Sequence, residues 1–371
     1  LITVDIRTKI IPNDARVYVI RPGAYYRLFD QFIDKSFVGV ELPKLALPSF
    51  SEFSELNDVG ERILRSIALR KWFAAGQPLG EYPPQELEFY SALELDHAGG
   101  QFLRFVKAFF QEIRKGDVVV MPPRSFKKDA IIGEFTDEPN EVVSFASPVY
   151  PNHPLNGRNV KWLARLPKSE LPAQTLDRLQ KPSVVFLLER SAWPKIFRTC
   201  YGAYSTDSEY SAEFRITEEQ FQASDDFLIQ AFFNFVTANT EKLRRNDENL
   251  SGLRDAAFQN VRDFSPSLYT NVNSPGSIAL KSGYITPIVI AVMLTLAVTV
   301  GAEAVNAAES DTITFGNSLS ADDACTAKVK KQVVNQLRLL GFDRWSEACN
   351  KIREAAENTG IKTNTLVQTE K

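Results

Sequence analysis

The sequence predicts an α+β protein in two parts: a mixed strand-and-helix front end over residues 1–205 and a mostly helical remainder. Three observations predict it. Short β-branched and aromatic runs bounded by Gly, Pro or Asp recur through the first half, with helical-period apolar stripes between them. After Tyr204 the apolar residues fall at three- and four-residue spacing over long stretches. A charge-free run, Tyr284–Ala302, then breaks the amphipathic pattern.

The front end reads in order. Arg16–Ile20 is a short strand that ends in the Arg21-Pro22-Gly23 turn. Tyr25–Lys35 has Leu28, Phe29, Phe32 and Ile33 at helical spacing, and Phe37–Val40 is the next strand. Residues 55–75 form a helix and 76–84 a Gly/Pro loop. Phe102–Ile113 is an amphipathic helix with its phenylalanines inward. Lys115-Gly116-Asp117 turns the chain into the apolar strand Val118–Met121. A polar loop, Pro122–Asp129, leads to a strand at 130–135. Another strand lies within 144–154, and Asn159–Leu166 is a strand carrying Trp162. Lys168–Leu179 is a short helix and Ser183–Leu188 a last apolar run.

Residues 206–264 read as helical, with helices at 217–244 and 249–263. Residues 265–283 are rich in Ser, Pro, Asn and Gly and read as a linker. Residues 303–371 read as a helical hairpin around Gly341-Phe342 with a disordered tail from Thr359.

Composition excludes several classes. With 371 residues and a net charge of −3, the chain is not a general nucleic-acid coat protein, so any such contact is local. Three cysteines and two histidines, none closely spaced, do not supply a zinc site and read as reduced thiols and loop residues. No phosphate-binding Gly-x-x-x-x-Gly-Lys-Ser/Thr and no Gly-x-Ser-x-Gly occurs. We assign no catalytic residue, no metal and no cofactor.

Two sets of motifs carry a resemblance. Val17-Tyr-Val-Ile-Arg21, Leu28-Phe-Asp-Gln-Phe-Ile33 and Phe37-Val-Gly-Val40 resemble the opening of the domain that precedes the nuclease in Mrr-type restriction proteins. Ile113-Arg-Lys-Gly-Asp-Val-Val-Val-Met121 with Ile131-Ile-Gly-Glu-Phe135 resembles the core of EVE and related PUA-like domains. Val160-Lys-Trp162 and Leu166-Pro-Lys-Ser-Glu-Leu171 are similar to its later strand and helix. The match covers about half the chain and rests on motif order. It implies a PUA/EVE-like mixed β-barrel domain with a helical insertion that binds a modified base, nucleic acid or nucleotide. A restriction nuclease would need Asp…Glu-x-Lys. Val40-Glu41-Leu-Pro-Lys44 has one residue too many between acid and lysine.

A base pocket needs aromatic faces, a few polar groups and cations for phosphate. The loops and their flanks supply candidates: Arg21, Tyr25 and Tyr26 after the first strand, Arg124, Phe126 and Lys127 in the polar loop, and Trp162 on the later strand with Arg158 just before it. Each has a structural alternative. Trp162 suits a core, Tyr25 and Tyr26 could pack a helix start, and the basic loop could simply face water.

Tyr284–Ala302 is 19 residues long with ten Ile, Val, Leu or Met. As one helix it would reach about 28 Å, near the ~30 Å hydrocarbon core, so it is predicted as a transmembrane helix. Lys281 before it and Glu303, Glu309 and Asp311 after it put the front end inside, and Leu1–Ile11 has no secretory signal. The expectation is a bacterial anti-phage defence sensor at the inner membrane, forming a homo-oligomer through its helices. One alternative is a soluble nucleic-acid-binding module with a helical dimerisation domain and Tyr284–Ala302 as its core. Another is a diverged nuclease.

Overall fold

The computed structural model describes residues 1–371 except 49, 51, 182, 183, 272–274, 322, 370, 371 and the side chain of 323. The chain is mixed α+β. It divides into two units: Asp14–Cys200, and Leu1–Asn13 together with Tyr201–Lys371. The front end drawn from sequence, 1–205, therefore loses its first residues. They form β1 (Ile2–Asp5) and β2 (Thr8–Ile10), which pair with strands from the far half of the chain.

The Asp14–Cys200 unit runs β3 (Val17–Ile20), α1 (Phe29–Asp34), β4 (Phe37–Gly39), α2 (Val59–Ala74), α3 (Glu88–Ser91), α4 (His97–Lys107), β5 (Val118–Met121), β6 (Asp129–Phe135), β7 (Val143–Phe145), β8 (Leu155–Pro167), α5 (Ala173–Gln180), β9 (Val185–Leu187) and α6 (Trp193–Tyr201). Its sheet has the order β4-β8-β6-β5-β3-β9, with β7 also on β8. Only β3 and β5 are parallel. The sheet curls into a half-barrel. β8 causes much of this, since its first residues pair with β7 and β4 and the rest with β6. An irregularity between Ile132 and Gly133 adds local twist. Gly39 and Gly157 face each other across β4 and β8. A Cβ on Gly157 would lie 2.2 Å from the Phe37 ring, so the strands close only because the position has no side chain.

α2 and α4 cover this sheet through Val59, Ile63, Val106, Phe109 and Phe110. The predicted helix Phe102–Ile113 is α4 followed by one wider turn, Ala108–Glu112, which brings Phe109 and Phe110 both inward. Two expected helices are shorter than their periodicity. Tyr25–Lys35 becomes helical only at Phe29. Lys168–Leu179 splits into a tight turn, Lys168–Glu170, and α5 behind Pro172. Of the Ser183–Leu188 run, Ser183 lies outside the described residues and β9 begins at Val185.

The second unit continues with β10 (Ala203–Ser205), β11 (Tyr210–Ile216), α7 (Ala223–Arg244), α8 (Leu253–Ala257), β12 (Ser267–Asn271), β13 (Gly276–Ser282), α9 (Thr286–Thr299), α10 (Glu303–Glu309), β14 (Ile313–Gly316), α11 (Asp323–Thr359) and β15 (Leu366–Thr369). Its sheets are β12-β13-β11-β10-β2 and β14-β1-β15. Here the helical expectation needs three corrections. The linker 265–283 holds two paired strands, β12 and β13, with residues 272–274 outside the described set. Their polar composition hides them, because every residue of β12 is exposed. The helix at 249–263 shrinks to five residues. The tail from Thr359 is not disordered throughout: β15 pairs with β1. The two helices expected on either side of Gly341-Phe342 are present: α11 is kinked between them at Gly341, which takes φ 67°.

Tyr284–Ala302 contains α9, 14 residues of which eleven are buried. At 1.5 Å per residue it is about 21 Å long, short of the ~30 Å hydrocarbon core. It packs on α7, α11, β11 and β13. Its C-terminal carbonyls are held by Arg353, which donates to Ala297 O at 2.9 Å, and its exit by Trp345, which donates to Gly301 O at 2.9 Å. No single described helix is long and apolar enough to cross a membrane. α9 and α10 together pass on length and composition, but bend by 117°.

Candidate functional site

The turn after β3 builds the site. Arg21 and Pro22 leave the sheet, and Gly23 takes φ 77°. Tyr25 and Tyr26 then both adopt left-handed backbone, at φ 54° and 61°. For non-glycine residues this costs of order 1–3 kcal/mol each and persists only where the surroundings impose it. Glu41, just past β4, imposes it. Its side chain is 3% exposed, accepts the Ala24 N–H at 2.6 Å, and binds Arg27 and the Tyr150 hydroxyl (2.8 Å). Burial and the Glu41 charge push the Tyr150 phenol up, so it stays a donor to that carboxylate. Arg70 Nε stands 3.6 Å from the other Glu41 oxygen.

These residues line a cavity of about 640 Å³. One wall is the turn, with Arg21, Tyr25 and Tyr26. The opposite wall comes from α2 and α4, with Ile67, Arg70, Lys71, Phe102 and Phe105. Arg70 lies over the Phe102 ring at 5.4 Å, and Arg21 over Tyr26 at 5.7 Å. Arg21 is anchored by donating to the carbonyls of Leu179 and Lys181. The Tyr25 ring is 80% exposed and holds no core contact that would explain its backbone. The cavity therefore has aromatic faces, a buried carboxylate with unused acceptor capacity, and three cations. Such a set can stack a flat ring, accept one of its N–H groups and neutralise an anionic substituent.

Three of the eight sequence-chosen residues, Arg21, Tyr25 and Tyr26, are thus brought together. The other five are not in the cavity wall. Arg158 is a correction: it is fully buried and donates to the carbonyls of Phe109 (3.2 Å), Ile113 (2.6 Å) and Asp137. Burial lowers its pKa to about 10. It ties off the carbonyl end of the α4 helix and reads no ligand. Trp162 is the second correction. It stands opposite Gly133, where an added Cβ would meet its ring at 2.7 Å, and packs into the core. The Ile-Gly of the sequence motif makes room for that indole. Arg124, Phe126 and Lys127 stay on an exposed loop. The base of the loop is tied to the site, since Lys168 donates to Pro123 O at 2.6 Å and its Nζ stands 5.1 Å from the Tyr26 ring. Burial, with Arg21 nearby, lowers the Lys168 pKa.

Glu41, Arg70, Phe102 and Phe105 escaped the sequence reading. Glu41 drew notice only as a failed nuclease motif, and the phenylalanines only as a core stripe. Among the described residues no group of three or more His, Cys, Asp or Glu is placed to hold a metal ion. The three cysteines form no disulfide. No family model, curated protein or solved structure matches the chain.

Proposed function

We propose that the Asp14–Cys200 unit is a PUA/EVE-like recognition module that binds a flat, anionic ligand, a modified base of a nucleic acid or a nucleotide, and serves a defence sensor. The observation that carries this reading is the Tyr25–Tyr26 turn, held in left-handed backbone by buried Glu41 at the mouth of an aromatic and cationic cavity. Strain held by a buried carboxylate beside an open pocket suits a preorganised ligand clamp. A base extruded from a strand would stack on the rings, with Arg21, Arg70 or Lys71 on its phosphate.

In this reading α9 is the core of the second unit, and the chain is a nucleic-acid-binding module without an anchor. Burial of eleven of its residues supports that. A membrane-acting second unit rests on the bent α9–α10 pair alone. Fractionation of full-length protein separates the two: recovery only with detergent favours the membrane effector.

Binding of the full-length protein to short oligonucleotides with modified or ordinary bases tests the recognition reading. Tyr25→Gly should weaken binding by roughly tenfold, the value of one stacking contact. Equal affinity for wild type and variant, or no binding to any base or nucleotide, would sink it.

A further inference from the structure

A second cavity, of about 680 Å³, lies in the other unit between α7 and α11. Both helices present one face to it. Thr237, Thr240, Glu241 and Arg244 repeat at three- and four-residue spacing on α7. Lys328, Lys331, Asn335 and Arg338 do so on α11, with Gln332 beside Lys331. Its floor is polar and tied across the helices: Gln336 Nε2 donates to Thr240 Oγ1 at 2.8 Å. Beside that bond the Thr237 hydroxyl is buried, with 1% of the residue exposed, and has no hydrogen-bond partner among the described residues. The Gln332 carboxamide oxygen is likewise buried and unpartnered. A buried polar atom without a partner is costly, which points to a partner supplied from outside.

The walls specify that partner. Glu241 is already used, since Arg244 bonds both its oxygens at 2.7 Å and Arg245 binds at 2.6 Å. Arg244 in turn lies over the rings of Phe264 (5.6 Å) and Tyr284 (5.2 Å), which makes a flat shelf at the mouth. Arg338 is paired with Asp311. Lys328 and Lys331 have no ion-pair partner among the described residues, so the cavity keeps an excess of positive charge. Inorganic phosphate is far too small for this space; volumes of ~300–1,000 Å³ take small organic ligands.

We propose that this cleft is a second ligand site, for a phosphorylated nucleoside-sized molecule. Its ring lies by the Phe264–Tyr284 shelf, its phosphate reaches Lys328 and Lys331, and its polar edge meets Thr237 and Gln332. The inference is independent of the base-binding reading, because the two cavities share no residue.

The test titrates full-length protein with the fluorescent nucleotide mant-ADP and then displaces it with unlabelled ADP. Saturable, displaceable binding is expected. Lys328→Glu with Lys331→Glu should weaken it by more than about tenfold, through loss of charge-assisted hydrogen bonds. The shape-matched Thr237→Val should weaken it by about five- to tenfold. The titrations are repeated in a Tyr25→Gly background, which weakens nucleotide binding at the first cavity, and the lysine-dependent binding should persist there. Retained protection of Cys349 from alkylation establishes that the unit holding this cleft is folded in each variant. No saturable binding up to about 1 mM, where affinity is ~4 kcal/mol, overturns the proposal. So does binding in the Tyr25→Gly background that survives the double charge reversal, or binding lost in Tyr25→Gly and kept in the lysine variants.

Discussion

The two units bury polar groups in opposite ways. Among the described residues, the Asp14–Cys200 unit buries Glu41, Arg65, Asp117, Asp137, Arg158 and Lys168. The other unit buries only Asp225 and Glu241 among its charged side chains, and its centre is the uncharged α9. The first is a small curled sheet whose turns and helix ends leave many backbone groups inside, and charged side chains satisfy them. Asp117 accepts the N–H groups of Arg16 and Arg114, each at 2.7 Å. Arg65 donates to Lys44 O at 2.8 Å. The second unit can wrap helices and strands around a helix that satisfies its own backbone, so aliphatic packing suffices. A core sewn by charges can also hold a strained loop in place, as Glu41 holds Ala24 and Arg27 on either side of Tyr25 and Tyr26.

The comparison can be broken most forcefully at α9. Ile290 is fully buried. Ile290→Asp places an unpaired carboxylate there and should unfold this unit, a loss above ~4–5 kcal/mol. Cys349 reports it: its thiol is buried and pushed up to about 12 by that burial, so it alkylates only when the unit opens. Slow alkylation of Cys349 in Ile290→Asp would mean that α9 is not the core.

Next is Arg158→Met, which keeps bulk and removes the donors to three buried carbonyls. It should destabilise the Asp14–Cys200 unit by roughly 3–5 kcal/mol, read from urea midpoints. A loss below about 1 kcal/mol would show that the charge is dispensable and that both cores are alike.

A smaller effect belongs to Asp117. Burial raises its pKa, against the two N–H bonds that lower it. The folded state thus holds a proton that the unfolded chain has already released. The stability from this group is full below the unfolded carboxylate value and declines as pH rises through the folded one. Wild type should lose stability relative to Asp117→Asn as pH rises across that window. A difference that is flat or opposite in sign contradicts the burial account.

The smallest change is Tyr25→Gly. Glycine tolerates φ 54° but loses more entropy on folding, so stability should move by less than about 1 kcal/mol while ligand affinity falls. A large loss of stability would make Tyr25 a packing residue and remove the contrast between strained site and inert core.

Part of the candidate site was legible. A strand ending in Arg-Pro-Gly and followed by two tyrosines signals a turn with aromatic side chains at a sheet edge, and Arg21, Tyr25 and Tyr26 do line the cavity. Arg158 and Trp162 were misread because period-two alternation tells that faces alternate, not which face a curled sheet turns inward. The opposite wall was out of reach for another reason: Arg70 and Phe102 lie on helices far along the chain, and only packing brings them to Glu41.

The sequence by itself determined the strand order of the Asp14–Cys200 unit and its helices other than α3 and α6, the break at Gly341 and the apolar character of α9, because these follow from local periodicity and from residues with special backbone needs. Tertiary structure alone decided that β1 and β2 belong with the C-terminal half, that Ser267–Asn271 and Gly276–Ser282 pair as strands, and that an apolar run is sheathed by protein. Burial and long-range pairing are properties of the partner surface, and a local pattern carries no record of which partner arrives.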